Sequence, residues 1–361
     1  MKILVTGASG LIGCHAVAAL LEAGHAVAAL ARSPGKLEAA LGSLGCALRD
    51  VEVATGDLGD PESIRRALAG RDGLLHCAGR FSPARADAEA LHRTNVEGTR
   101  NVLGAAAASA EGGVLRRAVH LSSMLALFPP RGPVLRADDP VAKPTSMYAI
   151  TKARAEEIAR ELRARAPITI VYPAAVQGPH DPTFSIGPRN VATALRERKT
   201  LVTEGGLPYT DVRDLAALVV AIFAGRVTEQ GVMAPSFFVS HEAYRRLLES
   251  LTGHAIAPQK LPGWAMRLMG RIGDVVQRLG RDVQLTYEAA EVLTRSVPLD
   301  DRVARAALGR EPISAEDSFR DLIDWMVEAG HVSPMDAGTR AATRGGSGAA
   351  KGAGNDRKSS A

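Results

Sequence analysis

Apolar residues in the first half of the chain fall in short continuous runs rather than in strict alternation. "KILVTGASGLIG", "HAVAALAR", "VEVATGDL", "GLLHCAG", "RRAVHLSS" and "ITIVYPAAV" each contain such a run. Unbroken apolar strands are those covered on both faces, as in a parallel sheet. Between them lie stretches with helical spacing: "CHAVAALLEAG", ending at Gly24, "PESIRRALAG", "LHRTNVEGTRNVLGAAAAS" and "MYAITKARAEEIARELRAR". Pro61 suits the first turn of the second of these, and Gly70 suits its stop. Strand and helix alternate, so the pattern predicts an α/β chain whose parallel sheet is wound with helices on both sides.

Beyond Val176 the rhythm changes. "QGPHDPTFSIGPRN" is a Pro- and Gly-rich loop, helical patterns follow at 191–199, 214–224 and 244–251, and "PSFFVS" reads as one more strand. From Leu261 to about Val332 the spacing is mainly helical. The expected organisation is a sheet domain over 1–175, rejoined by about 209–240. A smaller, mainly helical C-terminal substrate lobe is expected from 176–208 and 241–332. It should sit over the carboxyl ends of the strands, where open α/β folds bind ligands.

Gly7, Gly10 and Gly13 form a turn between the first strand and the first helix. Glycines let a backbone bend tightly and approach a pyrophosphate, and the following helix start offers free N–H groups and partial positive charge. The segment Gly7, Ser9, Gly10, Leu11, Ile12, Gly13 is therefore expected to hold a dinucleotide, which makes the sheet Rossmann-type. The second strand ends in Ala31, Arg32 and Ser33, with Lys36 nearby and no acid. A carboxylate there would favour the ribose hydroxyl of NAD, whereas Arg32 can pair with a 2′-phosphate. NADP is the expected cofactor, with NAD the alternative.

Tyr148 and Lys152 stand one helical turn apart, so both can face one cleft. A free phenol titrates near about pH 10. A neighbouring ammonium and an oxidised nicotinamide ring favour the phenolate and are expected to lower that value, which turns the phenol into an acid–base group. Eight motifs stand in order along the chain: "TGASGLIG", "GDL", "HCAG", "NVEGT", "LSS", "YAITK", "YPAAVQGP" and "YTDVRDLA". On these the sequence resembles the extended short-chain dehydrogenase/reductase family, also described as NAD(P)-dependent epimerases and dehydratases. Within it the chain is most similar to the dihydroflavonol-reductase and 3β-hydroxysteroid-dehydrogenase-like branch, over nearly all of the sequence to about residue 330. The resemblance implies that Ser123, Tyr148 and Lys152 are catalytic, with Ser122 the alternative to Ser123. It implies Asp57 and Leu58 beside the adenine, and Cys77, Ala78 and Gly79 along the central ribose and pyrophosphate. It further implies Asn95 bracing the helix beneath the site, Pro173 and Val176 flanking the nicotinamide, Lys152 on the ribose hydroxyls, and a homodimer.

Sugar-nucleotide members of the family carry an arginine just before the aromatic of "YTDVRDLA"; here Leu207 and Pro208 stand there. That departure argues for an apolar carbonyl substrate and an oxidoreductase acting on CH–OH groups, unless Arg189, Arg196 or Arg198 substitutes. Two other readings compete: a nucleotide-sugar epimerase or dehydratase, and a dinucleotide-sensing regulatory protein that keeps the fold without the chemistry. His76 and Cys14 read as core residues, and Asp211 and Asp214 as a helix cap or partners of Arg213.

Charge and cysteine content narrow the setting. Of the net +5, residues 337–361 contribute five cations against Asp356, or +4, so the rest of the chain is nearly neutral. That tail is rich in Gly, Ala and Ser and is expected to be disordered. No basic patch interleaved with aromatics suggests nucleic acid. Cys14, Cys46 and Cys77 have neither disulfide nor metal spacing, and no apolar run reaches the roughly 20 residues of a membrane span. With no leader pattern ahead of the first strand, a cytoplasmic location is expected. The segment 261–281 places Trp264, Leu268, Ile272, Val275, Val276 and Leu279 at near-helical spacing among arginines. The simpler expectation is an amphipathic helix packed apolar side down on the lobe; peripheral contact with a membrane surface is the other.

Overall fold

The computed structural model describes residues 1–279, 283 and 285–338. Its strands are β1 (Lys2–Thr6), β2 (Ala26–Ala31), β3 (Glu52–Thr55), β4 (Gly73–His76), β5 (Arg117–Leu121), β6 (Ile168–Tyr172), β7 (Ala175–Gln177), β8 (Lys199–Val202), β9 (Gly206–Asp211), β10 (Gly231–Met233), β11 (Phe237–Ser240) and β12 (Ala257–Lys260). The helices are α1 (Leu11–Glu22), α2 (Pro34–Gly42), α3 (Pro61–Leu68), α4 (Ala88–Leu91), α5 (Gly98–Glu111), α6 (Met147–Leu162), α7 (Ile186–Glu197), α8 (Val212–Phe223), α9 (His241–Thr252), α10 (Gly263–Arg278), α11 (Tyr287–Arg295), α12 (Arg302–Leu308), α13 (Ala315–Glu328) and α14 (Pro334–Ala337).

The six strands read from the apolar runs, joined by β10, form a seven-stranded sheet in the order β10-β6-β5-β4-β1-β2-β3. Every pairing in it is parallel. The order reverses between β1 and β4, the switch point at which such sheets open a crevice for a ligand. Each face of the sheet has its own apolar core. On one, Val17 and Leu20 of α1 join Leu215, Leu218 and Ile222 of α8; on the other, Ile64, Leu103 and Ala159 carry α3, α5 and α6. This is the Rossmann-type doubly wound sheet expected from the pattern.

A third cluster gathers Val191 and Leu195 of α7, Leu248 of α9 and Phe319, Leu322 and Met326 of α13. It lies with a three-stranded sheet, β11-β9-β7, and the pair β12-β8. Most of these strands were not legible as runs: β12 is "APQK", exposed at all four positions, so its pairing rather than its composition makes it a strand. The tail from residue 339 on lies outside the described residues, and Ala337, at the start of the expected tail, is buried at the end of α14. No helix among the described residues is long and apolar enough to cross a membrane.

Candidate active site

The glycine turn lies at the carboxyl end of β1, at the switch point. Gly7 has φ +74°, and a Cβ there would stand 2.6 Å from the Ala78 Cα, so only glycine lets the turn rest against the end of β4. A Cβ at Gly13 would run into the Gly7 carbonyl oxygen. Gly10 differs: a Cβ there would meet nothing nearer than that same oxygen at 3.5 Å. Gly10 is also the N-cap of α1, which has no side-chain cap and no acid in its first turn. The helix start is left open toward an anion.

Tyr148 and Lys152 project from α6 toward the end of β5. Ser146 caps that helix by accepting the Ala149 N–H. Ser123, just past β5, lies near enough to the Tyr148 phenol to favour its ionised form, and accepts the Leu125 N–H at 3.2 Å. Lys152 is buried and donates to the Leu121 carbonyl at 3.0 Å. Burial pushes the Tyr148 phenol up to about 12, against the Ser123 hydrogen bond, and pushes the Lys152 ammonium down to about 8, against the pull of Glu156. As the side chains stand, burial keeps the phenol neutral; the lowering expected from the sequence concerns the complex with an oxidised nicotinamide. Desolvation is the larger influence on the phenol, and the Lys152 ammonium is turned to the Leu121 carbonyl.

The two serines have different surroundings. Ser122 donates to Glu156 at 2.6 Å. Tyr172 donates to the same carboxylate at 2.6 Å, and Arg160 pairs with it at 2.7 Å. Glu156 is fully buried, so Ser122 is committed to satisfying it, which leaves Ser123 as the serine near the phenol.

The NAD dependent epimerase/dehydratase family model matches residues 3–232. "Sterol demethylase protein B" of Methylococcus capsulatus is 30% identical over 344 residues, covering 92% of this chain and 100% of that protein. A "Putative dihydroflavonol 4-reductase" of Synechocystis is 29% identical, covering 91% and 95%. The "4-hydroxy-2-methyl-3-oxo-4-farnesyl-3,4-dihydroquinoline-1-oxide ketoreductase" of Stigmatella aurantiaca is 30% identical, covering 86% and 91%. The chain belongs to the NAD-dependent epimerase/dehydratase family.

The expected cofactor residues can be tested against that family's dinucleotide. The open face of Gly10 and the uncapped start of α1 fit its pyrophosphate, while no acid stands at the end of β2 for the ribose hydroxyl of NAD. Arg32 is exposed and lies 3.7 Å from Asp57, with Lys36 exposed one turn along on α2. Ser9, Leu11 and Ile12 line the turn, half-buried, and Leu58 is held in place by Asn101, which donates to its carbonyl at 2.8 Å. Asn95 grips the Arg80 backbone from both sides, at 2.7 Å and 2.9 Å, and donates to Thr151 of α6 at 3.0 Å. It thus ties the loop after Cys77, Ala78 and Gly79 to the helix bearing Tyr148. Pro173 accepts the Met124 N–H at 3.1 Å beside Ser123, and Val176 lies on β7 where that strand pairs with Thr210 of β9.

Several participants escaped the sequence reading. Residues 92–97 form a π-helical turn, which aims Asn95. Phe81 packs edge-on against the Tyr148 ring, centroids 4.8 Å apart, while 53% of it is exposed. Glu288 of α11 accepts from the backbone N–H of Thr145 and Ser146, at 2.5 and 2.9 Å, and from the Ser146 hydroxyl at 2.6 Å. It clamps the start of α6 from the far end of the chain. His76, as expected, is a core residue, held between Thr6 and Thr99 at 2.7 and 3.1 Å. It stacks on His120 at 5.2 Å, and burial pushes the basicity of both rings far down. Asp211 caps α8 and grips Arg213, whereas Asp214 pairs with Arg310 instead.

Proposed function

We propose that the protein is an NADP-dependent ketone reductase and secondary-alcohol dehydrogenase acting on an apolar carbonyl compound. The observation that carries this is the joining of Ser123, Tyr148 and Lys152 at the end of β5, beside the glycine turn. The dinucleotide, when bound, exchanges hydride with the substrate carbon. Tyr148 gives its proton to the carbonyl oxygen, and in the reverse direction its phenolate takes the proton back. Ser123 donates a hydrogen bond to the same oxygen as charge develops on it. Lys152, one helical turn from Tyr148, would hold the ribose hydroxyls of a bound dinucleotide, and its positive charge would favour the phenolate left after transfer.

Arg32, exposed at the end of β2 with Asp57 beside it at 3.7 Å, supports the choice of NADP. Leu207 and Pro208 on β9 leave no guanidinium at the position where a sugar diphosphate would need one, which supports an apolar substrate. The names of the relatives, a sterol protein and a farnesyl-bearing quinoline ketoreductase, agree with that class. We read the protein as cytoplasmic and as a homodimer by analogy with the family. The test is a screen of ketones and nucleotide sugars that follows NADPH absorbance and, by calorimetry, binding. Turnover of hydrophobic ketones supports the reading. Tight binding and conversion of a nucleotide sugar without net NADPH consumption identifies an epimerase and overturns it.

A further inference from the structure

Helix α10 is turned inside out relative to the amphipathic expectation. Trp264, Leu268, Met269, Ile272, Val275 and Leu279 face solvent, with exposures from 49% for Met269 to 77% for Leu279. The side toward the protein is made of Met266, Gly270 and Gly273. A Cβ at Gly270 would stand 2.7 Å from the Tyr287 Cα, and one at Gly273 would meet the Leu285 carbonyl. The helix therefore lies backbone to backbone against the start of α11, and its bulk is turned outward. At about 100° per residue the outward residues form one stripe, with Arg267 and Arg271 along one flank. Lys260, on the exposed strand β12 just before, adds a third cation. The only acid of α10, Asp274, faces inward and accepts the Tyr287 N–H at 3.3 Å.

We propose that α10 docks the protein on an anionic lipid surface, apolar stripe into the headgroup boundary and cations against the lipid phosphates. Arg267 donates to Thr294 at 2.9 Å beside the exposed Glu204, which accepts the Gly263 N–H, and Arg271 lies over the Tyr287 ring at 5.0 Å. With Lys260 the flank thus carries three cations against one acid and matches a surface that is apolar below and negative at its rim. An antiparallel second copy would instead set Arg267 and Arg271 against their own counterparts. The helix also borders the candidate site: Asp274 and Gln277 line a small cleft with Thr145, Ser146 and Met147, the residues just ahead of Tyr148. Docking thus sets the mouth of the site at the membrane, which on the function proposed above is where an apolar ketone would be drawn from.

The test is flotation of the full chain with vesicles of phosphatidylcholine, alone or mixed with phosphatidylglycerol, without substrate or cofactor. It reads binding alone, so its failure is distinct from failure of the reductase assignment. Wild type is expected to float with the mixed vesicles, and Leu268→Ser/Ile272→Ser to partition at least about tenfold less while melting at the same temperature. The emission of Trp264 should shift to the blue on the mixed vesicles, a readout that needs no variant; Trp325 is already buried. Equal flotation of wild type and variant, both of which keep the basic C-terminal residues, overturns the proposal, as does no flotation. A wild-type dimer in sedimentation that the variant converts to monomer, with vesicles bound by neither, assigns the face to a second copy and overturns it too.

Discussion

Lys152 is held at a cost to stability, and Lys152→Met should expose that cost. The ammonium is buried and has a single carbonyl partner at 3.0 Å. Desolvation brings its titration from 10.5 to about 8. A shift of that size corresponds to about 3 kcal/mol of stability forgone wherever the group is protonated in both states. The sign follows from proton counting. Below pH 8 folded and unfolded chains both carry the proton, and the full cost is present. Between about 8 and 10.5 the unfolded chain binds the proton and the folded chain does not, so wild-type stability rises with pH relative to a variant lacking the group. Methionine keeps most of the packing volume but leaves the Leu121 carbonyl without its donor, at about 1–3 kcal/mol. That loss is independent of pH. Urea unfolding of both cofactor-free proteins from pH 7 to 10 measures the difference. The wild type should gain on the variant by about 2–3 kcal/mol across that range. A difference that stays flat with pH would refute the claim that Lys152 is a desolvated ammonium, and with it the electrostatic part of the proposed mechanism.

The other expectations concern separate parts of the site. Ser123→Ala should lower kcat for carbonyl reduction by about 10²–10³ with the fold intact. Ser122→Ala should leave kcat within about tenfold and instead cost about 1–3 kcal/mol in urea unfolding, since it takes a hydrogen bond from buried Glu156. Gly10→Ala should weaken NADPH binding in calorimetry without lowering the melting temperature much, because the added methyl meets only the Gly7 oxygen at an ordinary contact distance of 3.5 Å, whereas Gly13→Ala should fail to fold stably against the Gly7 carbonyl. Arg32→Ala should reduce the preference for NADPH over NADH by about tenfold or more in kcat/KM. An unchanged preference would remove the argument for NADP.

What could be read from the sequence was what repeats locally. The apolar runs marked β1 to β6 because parallel strands are covered on both faces, and the glycine turn stood out because only glycine fits at Gly7 and Gly13. Tyr148 and Lys152 were visible through their four-residue spacing. The same spacing continues to Glu156 and Arg160, and four polar groups on one face of a buried helix were a signal of the network behind the site that went unread. Two features had no local signal. Glu288 reaches the start of α6 across 142 residues of sequence, a contact that only the tertiary fold creates. The orientation of α10 was not legible, because periodicity shows that a stripe exists but not which way it faces. The small residues opposite the stripe decided it: Gly270 and Gly273 permit a backbone contact that larger side chains would prevent. The raised titration of the Tyr148 phenol was likewise beyond the sequence, because neighbours in the chain announce charge but not burial.

The central claim is that the Tyr148 hydroxyl is the proton donor of a carbonyl reduction, and Tyr148→Phe tests it most directly. The substitution removes one oxygen and leaves the ring packed against Phe81. With a ketone from the substrate screen, NADPH consumption should fall by at least about 10² to 10⁴, the range expected for loss of a positioned acid. NADPH affinity by calorimetry should stay within a few-fold of wild type. Wild-type turnover by the phenylalanine variant, with the cofactor bound as before, would contradict the account.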